Sequence, residues 1–470
     1  MTAAAATSDP RATDAAIGVL RDGGNAVDAA VTAALVLYVV EPQSCGIGGD
    51  GFIFVHVGAG APLALDGSGM VPARLTLGAL AADGFDSVPA RGAKTATPPG
   101  AVALLESALE QFGSITLSDA IEPAFLLARN GFAVRPSLAG AASRAAGSDA
   151  AADPVLGPLY WPKGSSVEVG DVVVNAALAD ALEMIAAEGS ATLYFGDLAD
   201  AVVGLMEAKG GYLSSQDLAE HRTTEITPES VDFAGHRMWQ FPAPTQGPAV
   251  LAALRELGEV GVPDWEAAYG AVRLGMASAG FDPASVSRAT PSPAKGDTTF
   301  IAVVDHQGMG VSLITSIFGD FGSHLGVPEF GGPIHNRATT FRIAARPLGP
   351  GKPPHTTIPG LITHEDGELR YVLGVAGGVM QPQTQVQLAL RVLVEGYAPQ
   401  EAIDLPRFKI CFGGDLALEE LHPLAETYPA ALAKDPGPEG FGAAQMVGWH
   451  EGELRAGADR RRGGKAVVVA

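Results

Sequence analysis

Apolar residues recur at helical spacing in two early stretches, Ala12–Leu20 and Ala26–Val40. Between them Gly23-Gly24-Asn25 suits one helix stopping and the next being capped, and Pro42 closes the second. Phe52–Val57 and Leu63–Leu65 read as short strands around a Gly58-Ala59-Gly60 turn. From Pro99 to about Val260 the pattern is mainly helical, carried by Gly100–Phe112, Asp119–Asn130, Asn175–Ala187, Leu198–Lys209 and Pro248–Leu257. Strand signals return at Phe300-Ile301-Ala302-Val303-Val304, a continuous apolar run of the kind covered on both faces. Asp305-His306-Gln307-Gly308 is turn chemistry, and Val311–Phe318 reads as the returning strand of a hairpin. Tyr371–Val375 predicts a further strand, Pro382–Val394 a helix, and Met446–Trp449 and Ala466–Val469 strands.

Helices followed by a sheet-rich final third imply stacked helical and sheet layers. No internal repeat or long linker interrupts the pattern, the softest stretch being the Ala-, Gly- and Asp-rich Gly140–Asp153. One compact domain over residues 1–470 is the expected organisation. The 470 residues are 47% hydrophobic and 17% charged, enough to bury a large core. With 52 acidic against 30 basic residues, the net charge of −22 argues against a nucleic-acid partner and for an acidic surface that keeps the protein soluble. The opening Met-Thr-Ala-Ala-Ala-Ala lacks a basic segment before an apolar core, and Ala29–Val40 is too short to span a bilayer, so no membrane association and a cytoplasmic location are expected.

Cys45 and Cys411 form neither a disulfide framework nor a Cys-His signature and read as two small buried residues. Gly46-Ile47-Gly48-Gly49-Asp50-Gly51 fits the dinucleotide pattern G-x-G-x-x-G, but a helix precedes it and a strand follows, the reverse of what places a pyrophosphate on a helix N-terminus. Those glycines read instead as sites of close backbone packing. The ten histidines have no metal-ligand spacing, and neither a metal nor a cofactor is expected. Thr298, in Gly296-Asp297-Thr298-Thr299 just before the buried strand, is the most informative residue. A threonine there can attack the preceding carbonyl, and the resulting N→O shift leaves an ester for water to cleave. The freed α-amine, with an ordinary pKa near 8, then serves as base beside its own hydroxyl. Read from spacing alone, a Thr-Thr pair opening a strand is ordinarily no more than what β-propensity favours.

The chain resembles the gamma-glutamyltransferase family from end to end. Leu20-Arg21-Asp22-Gly23-Gly24-Asn25-Ala26-Val27-Asp28-Ala29-Ala30 looks like its opening signature, followed by Glu41-Pro42 and Gly46–Gly51. Lys209-Gly210-Gly211 through Asp217-Leu218, Phe241-Pro242-Ala243-Pro244, and Thr298-Thr299 with Val303-Val304-Asp305 follow in order. Gly377-Gly378, Ala402–Phe408 and Ala458-Asp459-Arg460 complete the series. The resemblance implies an α+β fold, a four-layer αββα N-terminal-nucleophile hydrolase sandwich. It also implies autocatalytic cleavage between Asp297 and Thr298, giving a heterodimer of large subunit 1–297 and small subunit 298–470 from one precursor. Thr298 is then the nucleophile and base, Ser316 supports its hydroxyl where the family usually has threonine, and the N–H groups of Gly377 and Gly378 form the oxyanion hole.

Departures from the family pattern bear on the substrate. Ser68, before Val71-Pro72-Ala73, stands where members carry a carboxylate-binding arginine, and His355-Thr356 replaces a Ser-Ser pair. Phe318, Arg337 and Thr340 occupy the positions that usually meet the glutamyl ammonium, so that Arg337 reverses the local charge and leaves that ammonium without an acid. Gly351–Pro359 with Gly377–Gln383 is more similar to the family's amidohydrolase branch, which includes oxamate-hydrolysing enzymes. The implied activity is hydrolysis of a small-molecule amide, with Arg337 and His355 binding an acidic or carbonyl-bearing acyl group. Arg337 reads equally as a structural ion-pair partner. Two alternatives stand beside this: true γ-glutamyl transfer or glutathione hydrolysis, and an uncleaved, non-enzymatic ligand-binding relative.

Overall fold

The computed structural model describes residues 2–260, 263–287, 298–434 and 440–470. The helix Pro10–Arg21 begins at Asp9, whose carboxylate accepts from the Arg11 N–H. The helix Ala26–Val40 begins at Asn25, whose side chain accepts from Val27 and Asp28 while Asp28 bonds back to the Asn25 N–H. Such reciprocal capping is what the Gly-Gly-Asn break encodes. All 15 residues of this second helix are buried, which explains why nearly every position is apolar. Its one carboxylate, Asp28, is satisfied by the Ser114 N–H at 2.8 Å and the Ser114 hydroxyl at 2.6 Å.

Two antiparallel sheets lie face to face. The first, of seven strands, runs in the order Lys465–Val469, Ala3–Thr7, Thr299–Val304, Gly310–Ser316, Asp50–His56, Leu63–Asp66, Thr224–Ile226. The second, of six, runs Glu453–Ala458, Ala443–His450, Leu369–Ala376, Gly360–His364, His236–Gln240, Glu229–Phe233. Strand alternation divides the core into layers. Ile301, Val303, Val311, Leu313, Ile53 and Val55 of the first sheet pack outward on the helices Ala26–Val40, Ala101–Phe112 and Leu117–Asn130. Phe300, Ala302, Ile314, Phe52 and Phe54 point inward against Phe241, Leu361, Val372 and Val447. Beyond the second sheet, Tyr371, Leu373 and Val375 pack on the helices Gly247–Gly258, Trp265–Ser278 and Met380–Leu393. The result is the αββα sandwich expected from the sequence.

The hairpin through Asp305 is present, with Val304 paired to Gly310 and Thr299 to Thr315. Asp305 closes it by accepting from the Gln307 and Met309 N–H groups and also caps Ala26 at 3.0 Å, tying the hairpin to the buried helix. Three differences from the sequence pattern have physical causes. Ala3–Thr7 is a fully buried strand between Thr299–Val304 and Lys465–Val469, which an alanine run without alternation does not announce. The stretch Pro99–Val260, read as mainly helical, also holds Thr224–Ile226, Glu229–Phe233 and His236–Gln240, where the chain crosses from the first sheet to the second. Gly140–Asp153 contains two helices, Pro136–Arg144 and Asp149–Ala152, with Ala141, Ala142 and Ala150 buried. Cys45 is buried as expected, whereas Cys411 is only half-buried.

The helix Met380–Leu393 carries Gln381, Gln383, Gln385 and Gln387, all buried. The Gln383 and Gln387 amides bond Ile410 and Phe408 backbone groups, and Gln381 and Gln385 bond those of Ile358. One helix thereby holds the short strand Phe408–Ile410 and the segment at Ile358 in place beside the second sheet. Among the described residues no helix is long and apolar enough to cross a membrane.

A close approach between the sheets sets a test of this packing. A Cβ on Gly374 would lie 2.3 Å from the Phe300 ring. Gly374→Ala is expected to cost about 1–3 kcal/mol by overpacking, read as a lower thermal midpoint, while Gly204→Ala, exposed on the helix Asp197–Ala208 with open space around a Cβ, provides the surface comparison.

Candidate active site

Antiparallel register sets the site. Thr299 pairs with Thr315 and Ser316 with Asp50, so Thr298, Ser316 and Asp50 fall in one row across three strands. The pairs Phe52–Asp66 and Ile53–Leu65, extended by the Gly67 N–H to Gly51 carbonyl bond of 3.0 Å, bring Ser68 into the same row on the fourth strand. Directly opposed residues share a face, so all four side chains belong to the inward face that carries Phe300, Ile314 and Phe52 one row deeper.

The Thr298 hydroxyl lies 3.3 Å from Ser316 Oγ, donating to it, and Ser316 Oγ also accepts from the Phe318 N–H at 2.8 Å. Both hydroxyl residues are buried. Phe318 has φ of 70°, a turn that a non-glycine residue enters at a cost of about 1–3 kcal/mol. Asn336 holds this turn, accepting from the Gly319 N–H at 3.0 Å and donating to the Ala90 carbonyl at 2.9 Å. A Cβ on Gly49 would lie 2.8 Å from the Ser316 carbonyl, so the glycine-rich Gly46–Gly51 stretch serves close packing beside the site, as its sequence context implies.

Gly377 and Gly378 follow the strand Leu369–Ala376 and precede the helix Met380–Leu393. Their φ angles of 132° and 53° are ones that glycine adopts without a Cβ penalty. Packing shows which end of the sandwich they occupy. Gly310, at the hairpin end of the first sheet, lies against Leu369 and Val372, and Phe300 lies against Gly374. The strand Leu369–Ala376 therefore runs from the hairpin end toward the end where Thr298 begins its strand, and delivers Gly377-Gly378 there.

Asp50 and Arg337 are fully buried and joined by two bonds, Arg337 Nε to Oδ2 at 2.8 Å and Nη2 to Oδ1 at 2.6 Å. Burial raises the Asp50 pKa, but Arg337, His355 and His335 together outweigh it and hold the group at about 2. His335 Nδ1 lies 3.5 Å and His355 Nε2 4.0 Å from Asp50 Oδ2. Burial pushes both imidazoles below their ordinary pKa, so they are neutral near pH 7. The charge reversal expected from Arg337 is thus corrected: Asp50 neutralises the guanidinium. The ion-pair role is realised, while Arg337 Nη1 remains buried without a hydrogen-bond partner.

Of the other residues singled out in the sequence, Thr340 donates to the Arg337 carbonyl at 2.7 Å, and Phe318 lies under the Arg337 guanidinium at 5.2 Å. His355 is fixed by its own N–H to the Pro244 carbonyl and its carbonyl to the Gln246 N–H, with Thr356 buried beside it. Ser68 donates to Asp66 at 2.6 Å, and Asp66 pairs with Lys352 at 2.8 Å beside a cavity of about 300 Å³. Asp297 lies outside the described residues. Asp50, His335 and Asn336 were not anticipated. Their only sequence signal is an acid set among glycines before an apolar strand, and the polar run His335-Asn336-Arg337 inside a loop. Among the described residues no group of three or more His, Cys, Asp or Glu is placed to hold a metal ion.

An αββα sandwich whose inner strand opens on a supported threonine defines an N-terminal-nucleophile hydrolase. The family model for gamma-glutamyltranspeptidase matches residues 12–277 and 276–469, and the chain belongs to that family. It is 30% identical to the oxamate amidohydrolase proenzyme of Klebsiella pneumoniae subsp. pneumoniae, over 84% of this chain and 83% of that protein. It is 28% identical to the glutathione hydrolase proenzyme of Escherichia coli, over 86% and 80%. The cephalosporin acylase of Bacillus halodurans superimposes with a TM-score of 0.88 at 30% identity, covering 99% of this chain and 95% of that one. The chain is accordingly an enzyme of the hydrolase and acyltransferase type.

The ion pair makes a pH prediction. Asp50 titrates below the ordinary 3.8, so its stabilising contribution is complete above that value and is lost as pH falls through about 2. Asp50→Asn is expected to lose about 3–5 kcal/mol at neutral pH by stranding Arg337. The gap from wild type in denaturant unfolding should stay flat from pH 8 to about 5 and close toward pH 2.

Proposed function

We propose that the chain cleaves itself before Thr298 and that the new N-terminal threonine then hydrolyses the amide bond of a small molecule through an acyl-enzyme. The placement of Thr298 Oγ1 on Ser316 Oγ, at the sandwich end that also receives Gly377-Gly378, carries this reading. In the first reaction the Thr298 hydroxyl adds to the carbonyl of Asp297, the C–N bond breaks, and an ester remains. Water then cleaves that ester, leaving a carboxylate on residue 297 and a free α-amine on Thr298. The fragments 1–297 and 298–470 stay together as a heterodimer, because the first sheet interleaves strands from both.

In turnover the α-amine, with an ordinary pKa of about 7.7–8.0, takes the Thr298 hydroxyl proton as the oxygen attacks the substrate carbonyl. The N–H groups of Gly377 and Gly378 receive the oxyanion, Ser316 orients the attacking oxygen, and the ammonium returns its proton to the departing amine. Water enters by the same route to release the acid. Arg337, His355, Thr356, Phe318, Thr340 and Ser68 shape the acyl side. No step requires a cofactor or a nucleic-acid partner. γ-Glutamyl transfer is the weaker reading, because both Asp50 oxygens are engaged by Arg337 and are not free to meet a glutamyl ammonium.

Wild-type protein is expected to run as two fragments on a denaturing gel, the smaller with Thr298 at its N-terminus by sequencing, and Thr298→Ala to stay intact and inactive. A fully active single band would overturn the reading. Ser316→Ala should lower kcat by about 10- to 100-fold, and Ser316→Thr should restore most of it.

A further inference from the structure

A cavity of about 330 Å³ lies beside the edge of the first sheet, and five arginines line it: Arg135, Arg144, Arg460, Arg461 and Arg462. The whole chain holds 30 basic against 52 acidic residues, so this cluster of guanidinium groups runs against the overall charge. Two acids share the lining, and both are occupied from within the chain. Asp9 accepts from Arg11 Nε at 2.8 Å and Nη2 at 2.7 Å, and Glu41 accepts from the Ser8 hydroxyl at 2.7 Å. Arg461 is likewise spent, on Glu419 at 2.7 and 2.6 Å and on Asp459 at 3.3 Å. Three of the arginines keep donors to spare. Arg135 has Nε 3.4 Å from Asp9 and Nη2 3.3 Å from the Gly463 carbonyl, while Arg144 spends Nη2 on Asp320 at 3.0 Å. Arg460 Nη2 lies 3.7 Å from Asp404. Among the described residues none of these three gives its Nη1 a hydrogen bond. The helix Pro136–Arg144 adds the positive end of its dipole, since Pro136 and Ser137 of its first turn line the cavity. That turn holds no acid and receives no side-chain cap from Arg135. Apart from Pro136, no aromatic or aliphatic side chain lines the cavity among the described residues, which suits a compact anion and not a ligand with a large organic part. A lone carboxylate brings one charge in one plane, whereas a diphosphate offers several charges and acceptor oxygens on every side to guanidinium forks that converge from different directions.

The cavity is separate from the candidate active site. Ser8 and Asp9 join the strand Ala3–Thr7 to the helix Pro10–Arg21, and Glu41 follows the helix Ala26–Val40, both helices covering the outer face of the first sheet. Thr298 and Ser316 face inward from that sheet, and neither lines the cavity. We propose that this cavity binds a compact, multiply charged phosphate anion of pyrophosphate size. Arg135 and Arg144 hold it from one side and Arg460 from the other, in the field of Arg461 and Arg462. Arg135 and Arg144 belong to residues 1–297 and Arg460 to residues 298–470, so the bound anion ties the two fragments together. This bridging role rests on the reading of cleavage before Thr298; the binding itself does not.

The test is titration calorimetry of the full-length protein with pyrophosphate and, at the same ionic strength, with sulfate, in metal-free buffer. Pyrophosphate is expected to bind about 10-fold or more tightly than sulfate. Two substitutions remove one guanidinium from each side without stranding an acid. Arg135→Gln leaves Asp9 on Arg11, and Arg460→Gln leaves Asp404 on the Gln400 amide at 2.9 Å. Each should weaken pyrophosphate binding by about 10-fold and the pair by about 100-fold. At about 100 times its Kd, pyrophosphate should raise the thermal midpoint of the wild type by about 2–3 °C and leave that of the double variant unchanged. Thr298→Ala should bind with wild-type affinity. Equal binding of sulfate and pyrophosphate, or undiminished binding by the double variant, would overturn the proposal by reducing the cluster to a diffuse positive surface. Loss of binding in Thr298→Ala would overturn it too, by placing the anion at the candidate active site. A wild-type protein that stays uncleaved yet shows the expected affinities keeps the anion site and removes only its bridging role.

Discussion

Pairing of the strand Thr299–Val304 with Gly310–Ser316, and of that strand with Asp50–His56, is the constraint on which the rest of the site depends. Because side chains alternate along a strand, a slip of one residue would turn Thr298, Ser316 and Asp50 to the helical face and bring Ile301 and Leu313 between the sheets. The register is held at both ends. Asp305 ties the hairpin to the buried helix Ala26–Val40, and Phe300 fits against Gly374 of the facing sheet. The geometry of the candidate site is a by-product of core packing, and the same inward face that buries Phe300 and Phe52 presents the threonine.

The buried Asp50–Arg337 pair acts differently. Two charges with no solvent exposure gain little net stability over an apolar pair of similar volume, yet losing either one strands the other. Such a pair is better understood as a means of aiming a guanidinium edge. It also changes how Arg337 is read. As an isolated cation it would dominate its surroundings; with Asp50 it is a neutral unit that still offers directional N–H groups.

Much of the outline was legible in the chain. The Asn25 cap, the buried helix Ala26–Val40, the Asp305 hairpin and the strand after Thr298 all carry local signals: a capping box, an apolar run, turn residues and β-branched side chains. The ordered motifs of the family singled out Thr298, Ser316 and Gly377-Gly378 as a set. Ala3–Thr7 was not legible, because alanine has no preference for strand and both of its strand partners lie some three hundred and more residues away in sequence.

Sequence by itself singled out Thr298 as the candidate reacting group, since a hydroxyl residue ahead of a buried strand has a definite chemistry once the family pattern surrounds it. It determined the layers as well, because strand and helix periods are local properties. Only the tertiary structure decided that Asp50 stands opposite Ser316 and takes both bonds from Arg337, 287 positions apart in the chain. Charge balance in a pocket depends on which groups meet across strands and loops, and no local pattern records that meeting. The candidate nucleophile is therefore legible along the chain, and the charge balance beside it is set by contacts across it.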